Sequence, residues 1–209
     1  IAAPSANRSG RPSPTVARYV IEDLDGLVDM IIDWGEVNIG LESTIIDLTG
    51  EVPTILRPGY VTQDMLTETL GLVDVDRTIL DANSHQAPKA PGMKYRHYAP
   101  KGNLSIVEGE PERVISYINE RISALQKEGR KTGVIATDET VARYHGDDIK
   151  SVGSRRDEEA IARHLFRILR EFDDDNVEVM FTESFETAGI GQAIMNRLLK
   201  AAGHQVIQV

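Results

Sequence analysis

From residue 103 onward, two hydrophobic patterns alternate. Short runs rich in β-branched residues fall at 104–107, 133–136, 177–182 and 205–208. Between them lie longer stretches, 110–128, 157–172 and 191–202, in which apolar residues recur every three or four positions. The first pattern fits buried strands and the second amphipathic helices. A further short helix is expected to end near Tyr144. Strands alternating with helices predict a parallel, Rossmann-like sheet. The first eighty residues read differently. Ser13 before Pro14 is a helix-start signal, and the spacing of Val16, Val20 and Leu24 predicts a helix over 14–24 with those three on its buried face. Asp25-Gly26 ends it. Apolar runs at 28–33, 43–48 and 53–56 predict three strands, joined too closely for parallel crossovers and therefore antiparallel. A capped helix is expected over 62–70. No internal repeat is visible.

Composition narrows the class. The chain has 209 residues, 41% hydrophobic and 27% charged, ordinary for a soluble globular protein. It contains no cysteine, which excludes disulfides, thiolate metal sites and cysteine nucleophiles. No apolar run approaches the roughly 18 residues of a membrane-spanning helix, and no signal peptide is visible, so a cytoplasmic location is expected. The net charge is −10. Residues 1–90 carry fourteen acidic and six basic side chains, a net of −8, and residues 91–209 a net of −2. Neither half has the basic excess of a non-specific nucleic-acid binder. The opening Ile1-Ala2-Ala3 reads as the tail of a strand entering a loop, as though the sequence begins in mid-domain.

Five segments could carry chemistry. "APSANRSGRPSPT", residues 3–15, has little to bury. Ser5, Asn7, Ser9 and Ser13 offer hydroxyl and amide groups, and the loop feeds a helix N-terminus, where exposed amides favour an anion such as phosphate. The alternative is a polar turn with an ordinary Ser-Pro cap. In "GLESTIIDL", Ser43 and Thr44 stand where a loop enters a strand and could bind a carboxylate or carbonyl; they also suit a strand edge. "ILRPG" puts Arg57 at a strand end. Arginine is a bidentate phosphate ligand that stays charged, although a surface ion pair would also explain it. "DANSHQAPKAPGMKYRHYAPKG", residues 81–102, has the composition of a linker, yet its tyrosines, histidines and cations are unlike an inert tether. "GIGQAIMNRLLKAA" after "VEVMFT" has the look of a dinucleotide loop, but the acidic residue expected about 20 positions later is missing; glycines packing a loop on a helix are the alternative. His85, His97, His145, His164 and His204 are dispersed and show no metal-ligand spacing.

In their order, "APSANRSGRPSPT", "GLESTIIDLTGEVPTILRPG" and "APGMKYRHYAPKG" resemble the long, two-domain form of threonylcarbamoyl-AMP synthase. The resemblance covers essentially the whole chain. It implies an α/β fold: the C-terminal half of a YrdC-like catalytic domain with a mixed sheet over 1–80, a linker folding over the active site at 81–102, and a smaller Rossmann-like domain with a mainly parallel sheet over 103–209. The family forms threonylcarbamoyl-AMP and pyrophosphate from L-threonine, bicarbonate and ATP, with Mg2+ on the nucleotide. The product passes to a threonylcarbamoyl transferase complex that modifies tRNA. By resemblance, Ser5, Asn7, Ser13, Arg57 and one of Tyr95 and Tyr98 would meet ATP. Ala3 and Ser43 would meet threonine, and Arg57 would stabilise phosphate charge. No residue is expected as a nucleophile, and no membrane or stable tRNA contact is expected. The family's lysine- and arginine-bearing ATP segment lies upstream of the part matched here, so residues 1–209 alone are not expected to form the adenylate. Two other readings stand beside this one: a non-catalytic RNA-binding YrdC-like module, and an NAD enzyme using Gly189 and Gly191.

Overall fold

A computed structural model describes residues 4–76, 79 and 99–209. Two sheets organise it. The first is small and mixed: β1 (Ile45–Asp47) pairs antiparallel with β2 (Thr54–Arg57), and β2 pairs parallel with β3 (Asp74–Val75). Helices α1 (Ala17–Leu24) and α2 (Gln63–Leu70) flank it in sequence. The second sheet is fully parallel. Its strands β4 (Asn103–Glu108), β5 (Thr132–Ala136), β6 (Asp148–Ser151), β7 (Val179–Glu183) and β8 (Val206–Gln208) lie in the order β6-β5-β7-β4-β8. The connecting helices are α3 (Pro111–Lys127), α4 (Glu158–Asp174) and α5 (Ile190–Ala201). The expected α/β class, with a mixed sheet followed by a parallel one, is borne out.

The parallel half follows its hydrophobic periodicity closely. β5 is buried at every position, as expected of a strand covered on both faces. Ile118 and Ile122 of α3 close one face, and Leu165, Phe166, Leu169 and Phe172 of α4 close the other with Ala193, Ile194 and Leu198 of α5. The expectation omitted β6. It is an edge strand whose four residues are all half-buried, so "DIKS" needs no apolar run. The predicted turn of helix near Tyr144 is a single 3-10 turn at Val141–Arg143.

The first half departs from expectation at α1, at residues 28–33 and at β3, a parallel strand where none was expected. The α1 helix begins at Ala17 with Val16 at its N-cap and no side-chain cap bond. Ser13 caps nothing, because its hydroxyl donates to Glu42 Oε1 at 2.7 Å. The buried positions of α1 are Tyr19 and Asp23, while Val16, Val20 and Leu24 line an open groove of about 430 Å³ beside Met30 and Trp34. The helix has turned Tyr19 and Asp23 toward the second half of the chain, where Arg170 meets both. Residues 28–33 form no strand. They pair with no described strand, and a strand exists only by pairing its backbone groups. Trp34 is 96% exposed and is the only tryptophan in the chain. Emission from residues 1–209 should therefore be that of a solvated indole, quenched by acrylamide as readily as a free tryptophan amide. Blue-shifted, protected emission would contradict this placement.

Among the described residues before 99, only Tyr19, Leu41, Ile55 and Val73 are buried hydrophobics. Leu41 belongs to the core cluster of the parallel half, among residues of α4 and α5. The α4 helix also meets the backbone at Gly40, where a Cβ would lie 2.5 Å from Arg163 Cα. The loop 40–42 is thus set into the second half.

Candidate functional site

The β1–β2 pair builds the part of the site that can be described. Ile45 pairs with Arg57, but Ile46 pairs with Ile55, so one extra residue bulges from β2. Such bulges re-aim side chains beside functional sites. Here the guanidinium of Arg57 turns back onto the entry to β1. Its Nε and Nη2 donate to the Ser43 carbonyl at 3.2 and 2.9 Å, and Nη2 lies 3.4 Å from Ser43 Oγ. Gly59 packs directly under this entry, and a Cβ there would lie 2.5 Å from Glu42 O and 2.7 Å from Ser43 C. The next residue outward is Glu42, which accepts from Ser13. Ser13, Ser43 and Arg57 are therefore joined through adjacent residues. Ser5 is exposed, and no hydrogen bond among the described residues joins it to that group. Asn7 holds its own loop, donating to Arg8 O at 2.9 Å and Arg11 O at 3.4 Å, while its buried Oδ1 meets no partner among the described residues. Ala3, Tyr95 and Tyr98 lie outside the described residues.

The polar loop 4–15 is held from below by a cluster that the sequence reading missed. Asp23 is wholly buried. One carboxylate oxygen accepts from Arg170 Nη2 at 2.6 Å and from Arg8 N at 3.2 Å, and the other pairs with Arg11. Arg170, also wholly buried, donates through Nε to Pro12 O at 2.8 Å and stacks 5.0 Å from the Tyr19 ring centroid. Burial opposes ionisation of Asp23. The hydrogen bond and charge of Arg170, then Arg8 N–H and Arg11, outweigh it and hold the carboxyl below its usual range. The second buried pair is Arg197 with Glu42, Nε to Oε2 at 2.6 Å, and Arg197 Nη2 donates to Pro58 O at 2.9 Å. Both arginines come from the parallel half. A sequence signal existed: Arg170 follows Phe166 by four residues, and Arg197 follows Ile194 by three, on the apolar faces of their helices. A charge on a buried face needs a partner.

Residues 61–203 match the family profile described as threonylcarbamoyl-AMP synthase, C-terminal domain. The chain belongs to the threonylcarbamoyl-AMP synthase family. Residues 1–59 match a second profile, described as telomere recombination. The chain is 46% identical to the threonylcarbamoyl-AMP synthase of Bacillus subtilis, over the whole of this chain and 58% of that protein. To the Pyrococcus abyssi protein of the same name it is 44% identical, over all of this chain and 59% of the relative. The crystal structure of P. abyssi Sua5 complexed with L-threonine superposes with a TM-score of 0.87 at 43% identity, covering 99% of this chain and 59% of that one. The chain thus spans just under three fifths of the length of the relatives it matches.

Within this family frame, the dinucleotide-loop reading of 189–202 loses its basis. The first turn of α5 already holds an internal anion: Gly191 N donates to Glu158 Oε2 at 3.2 Å. Gly191 is required by packing, since its Cα side closes on the Glu186 backbone. A cavity of about 750 Å³ lies at the carboxyl ends of β4 and β7, whose connections leave in opposite directions, the place where open α/β sheets take ligands. Its two arginines are both committed, Arg155 to Glu183 and Arg143 to Glu112. His164 lies within α4, with Nδ1 3.0 Å from Val152 O. No group of three or more His, Asp or Glu side chains among the described residues is placed to hold a metal ion. No helix among them is long and apolar enough to cross a membrane.

Proposed function

We propose that residues 1–209 are the C-terminal part of an L-threonylcarbamoyladenylate synthase. This nucleotidyltransferase would join L-threonine, bicarbonate and ATP into threonylcarbamoyl-AMP and pyrophosphate in the cytoplasm, for threonylcarbamoyladenosine modification of tRNA by a downstream transferase complex. Residues 1–80 would belong to the catalytic domain, 81–102 to a linker closing over it, and 103–209 to the Rossmann-like domain. The observation that carries the reading is the joining of Ser13, Ser43 and Arg57 through Glu42 in a chain of this family. L-threonine is named as the ligand of the P. abyssi protein, and we extend it to this chain.

In this reading the threonine amine adds to bicarbonate, releasing water and forming a carbamate. A carbamate oxygen then attacks the α-phosphorus, and pyrophosphate departs. No covalent enzyme intermediate is needed. Positioning and charge neutralisation supply the catalysis. Ser43 and Ala3 hold threonine. Ser5, Asn7 and Ser13 line the nucleotide, and the orphan acceptor of Asn7 suits a donor from the ligand, since a buried oxygen left unpaired is costly. Arg57 exchanges Ser43 O for the phosphates when ATP binds, so that its guanidinium stands beside the charge that develops in the transition state. A linker tyrosine, Tyr95 or Tyr98, closes over the product, because carbamates and mixed anhydrides do not survive water. Mg2+ would enter on the ATP phosphates, as part of the nucleotide substrate.

The test is pyrophosphate release by a chain of the relatives' full length, which should require threonine and bicarbonate together. Release that ignores either would end this reading. In the same assay Arg57→Ala should weaken ATP use by about 1.5–3 kcal/mol, the usual worth of a charged hydrogen bond. An unchanged ATP requirement would remove Arg57 from the site.

A further inference from the structure

Arg197 reaches out of the parallel half and grips both shoulders of the Ser43–Arg57 pair. Its Nε holds Glu42, the residue before Ser43, and its Nη2 holds Pro58 O, the residue after Arg57. The same Glu42 uses its other oxygen to hold Ser13. Arg197 itself is 1% exposed, and its Nη1 donates to Asn196 Oδ1 at 2.9 Å. Leu41 and Gly40, immediately upstream, are packed into the same half. One guanidinium thus spans the two strands whose relative spacing decides where Ser43 and Arg57 stand.

We propose that Arg197 is a positioning residue for the synthase reaction, and that the Rossmann-like domain acts on the site through it by fixing the Ser43-to-Arg57 spacing and the orientation of Ser13. This rests on the synthase reading. A planar fork can bind Glu42 and Pro58 O together, whereas an ammonium offers one compact charge without that geometry. Arg197→Lys therefore keeps a buried cation beside Glu42 but loses the bridge. Glu42→Gln keeps an acceptor for one partner and removes the charge. Displacement by about 1 Å can cost roughly a hundredfold in rate when geometry is the catalyst.

The experiment uses a full-length chain and two readouts. The first is steady-state kinetics with threonine and ATP varied separately. The second is hydrogen exchange of the backbone amides at 43–46 and 55–57, with those of α3 as reference. Arg197→Lys and Glu42→Gln should raise the threonine KM about tenfold and speed exchange in the two β1–β2 segments, leaving α3 unchanged. Arg130→Ala, which removes a surface pair with Glu178, should change neither readout. Exchange that stays at parental rates would overturn the bridge. Faster exchange, or a lower melting temperature, with a threonine KM within twofold of the parent would reduce Arg197 to a structural residue and overturn the proposal. If the parent itself shows no threonine-dependent pyrophosphate release, the synthase reading fails, and with it the positioning role, while the exchange data still report on the bridge.

Discussion

Arg170→Ala should cost about 3–5 kcal/mol of unfolding free energy, the usual result of stripping one partner from a buried ion pair. Both members of the pair with Asp23 are fully excluded from solvent. Truncation leaves the carboxylate with Arg8 N–H and Arg11, leaves Pro12 O without the Nε donor, and removes one of the two cations over Tyr19. Urea unfolding of residues 1–209 measures the loss, and a cost under 1 kcal/mol would show that the pair is solvated. Replacing both members, Arg170→Met with Asp23→Leu, should recover only part of it, because Arg8 and Arg11 then lose their acceptor. Acid provides a second readout. A carboxyl held below its unfolded value stabilises the fold above that value, roughly pH 4, and that contribution is lost as pH falls through the folded value. Asp23 is such a group. Glu139 is another, held down to about 2 chiefly by the Ser154 hydroxyl and then Arg155 N–H. Asp173 has the opposite sign. Burial raises it, so its cost at neutral pH is relieved on acidification. The parent should therefore lose stability between about pH 4 and pH 2, and Arg170→Ala should show a shallower acid limb.

What the sequence reveals differs between the halves for a physical reason. In the parallel half each element buries its own stripe, so period alone locates α3, α4, β5 and β7. β6 escapes detection because an edge strand can be half-buried throughout. In the first half the pattern is read through partners that are far away in sequence. The run 28–33 is as apolar as a strand, yet without a neighbour it stays unpaired. Ser13-Pro14 has the form of a cap, yet its hydroxyl goes to Glu42, 29 residues on. The nearness of Ser43 and Arg57 is legible because both belong to one hairpin. The residues that hold them are not: Asp23 and Arg170 lie 147 positions apart, and Glu42 and Arg197 lie 155 apart. Only the charged side chain on an apolar helix face hints at such pairs.

Gly40→Ala should destabilise the chain by about 3 kcal/mol or more, at the upper end of overpacking. Gly40 is buried, and its backbone does not need the left-handed region, so the penalty is steric alone. The added methyl carbon would fall within contact of the Ala162 and Arg163 carbonyl oxygens and lie 2.5 Å from Arg163 Cα. These are backbone atoms in the second turn of α4, which no rotamer change can move aside. Gly50→Ala is the matched control, since the nearest atom there is Val52 O at 3.8 Å; a Gly-to-Ala change with room for the methyl is neutral or stabilises by up to about 1 kcal/mol. The consequence should also be directional. Pushing residue 40 off α4 draws Leu41 from the shared core and pulls Glu42 from Arg197, so exchange at 40–44 should rise before that of β5 or α3. Equal thermal midpoints for the two alanine variants would mean that the two halves are not packed through Gly40.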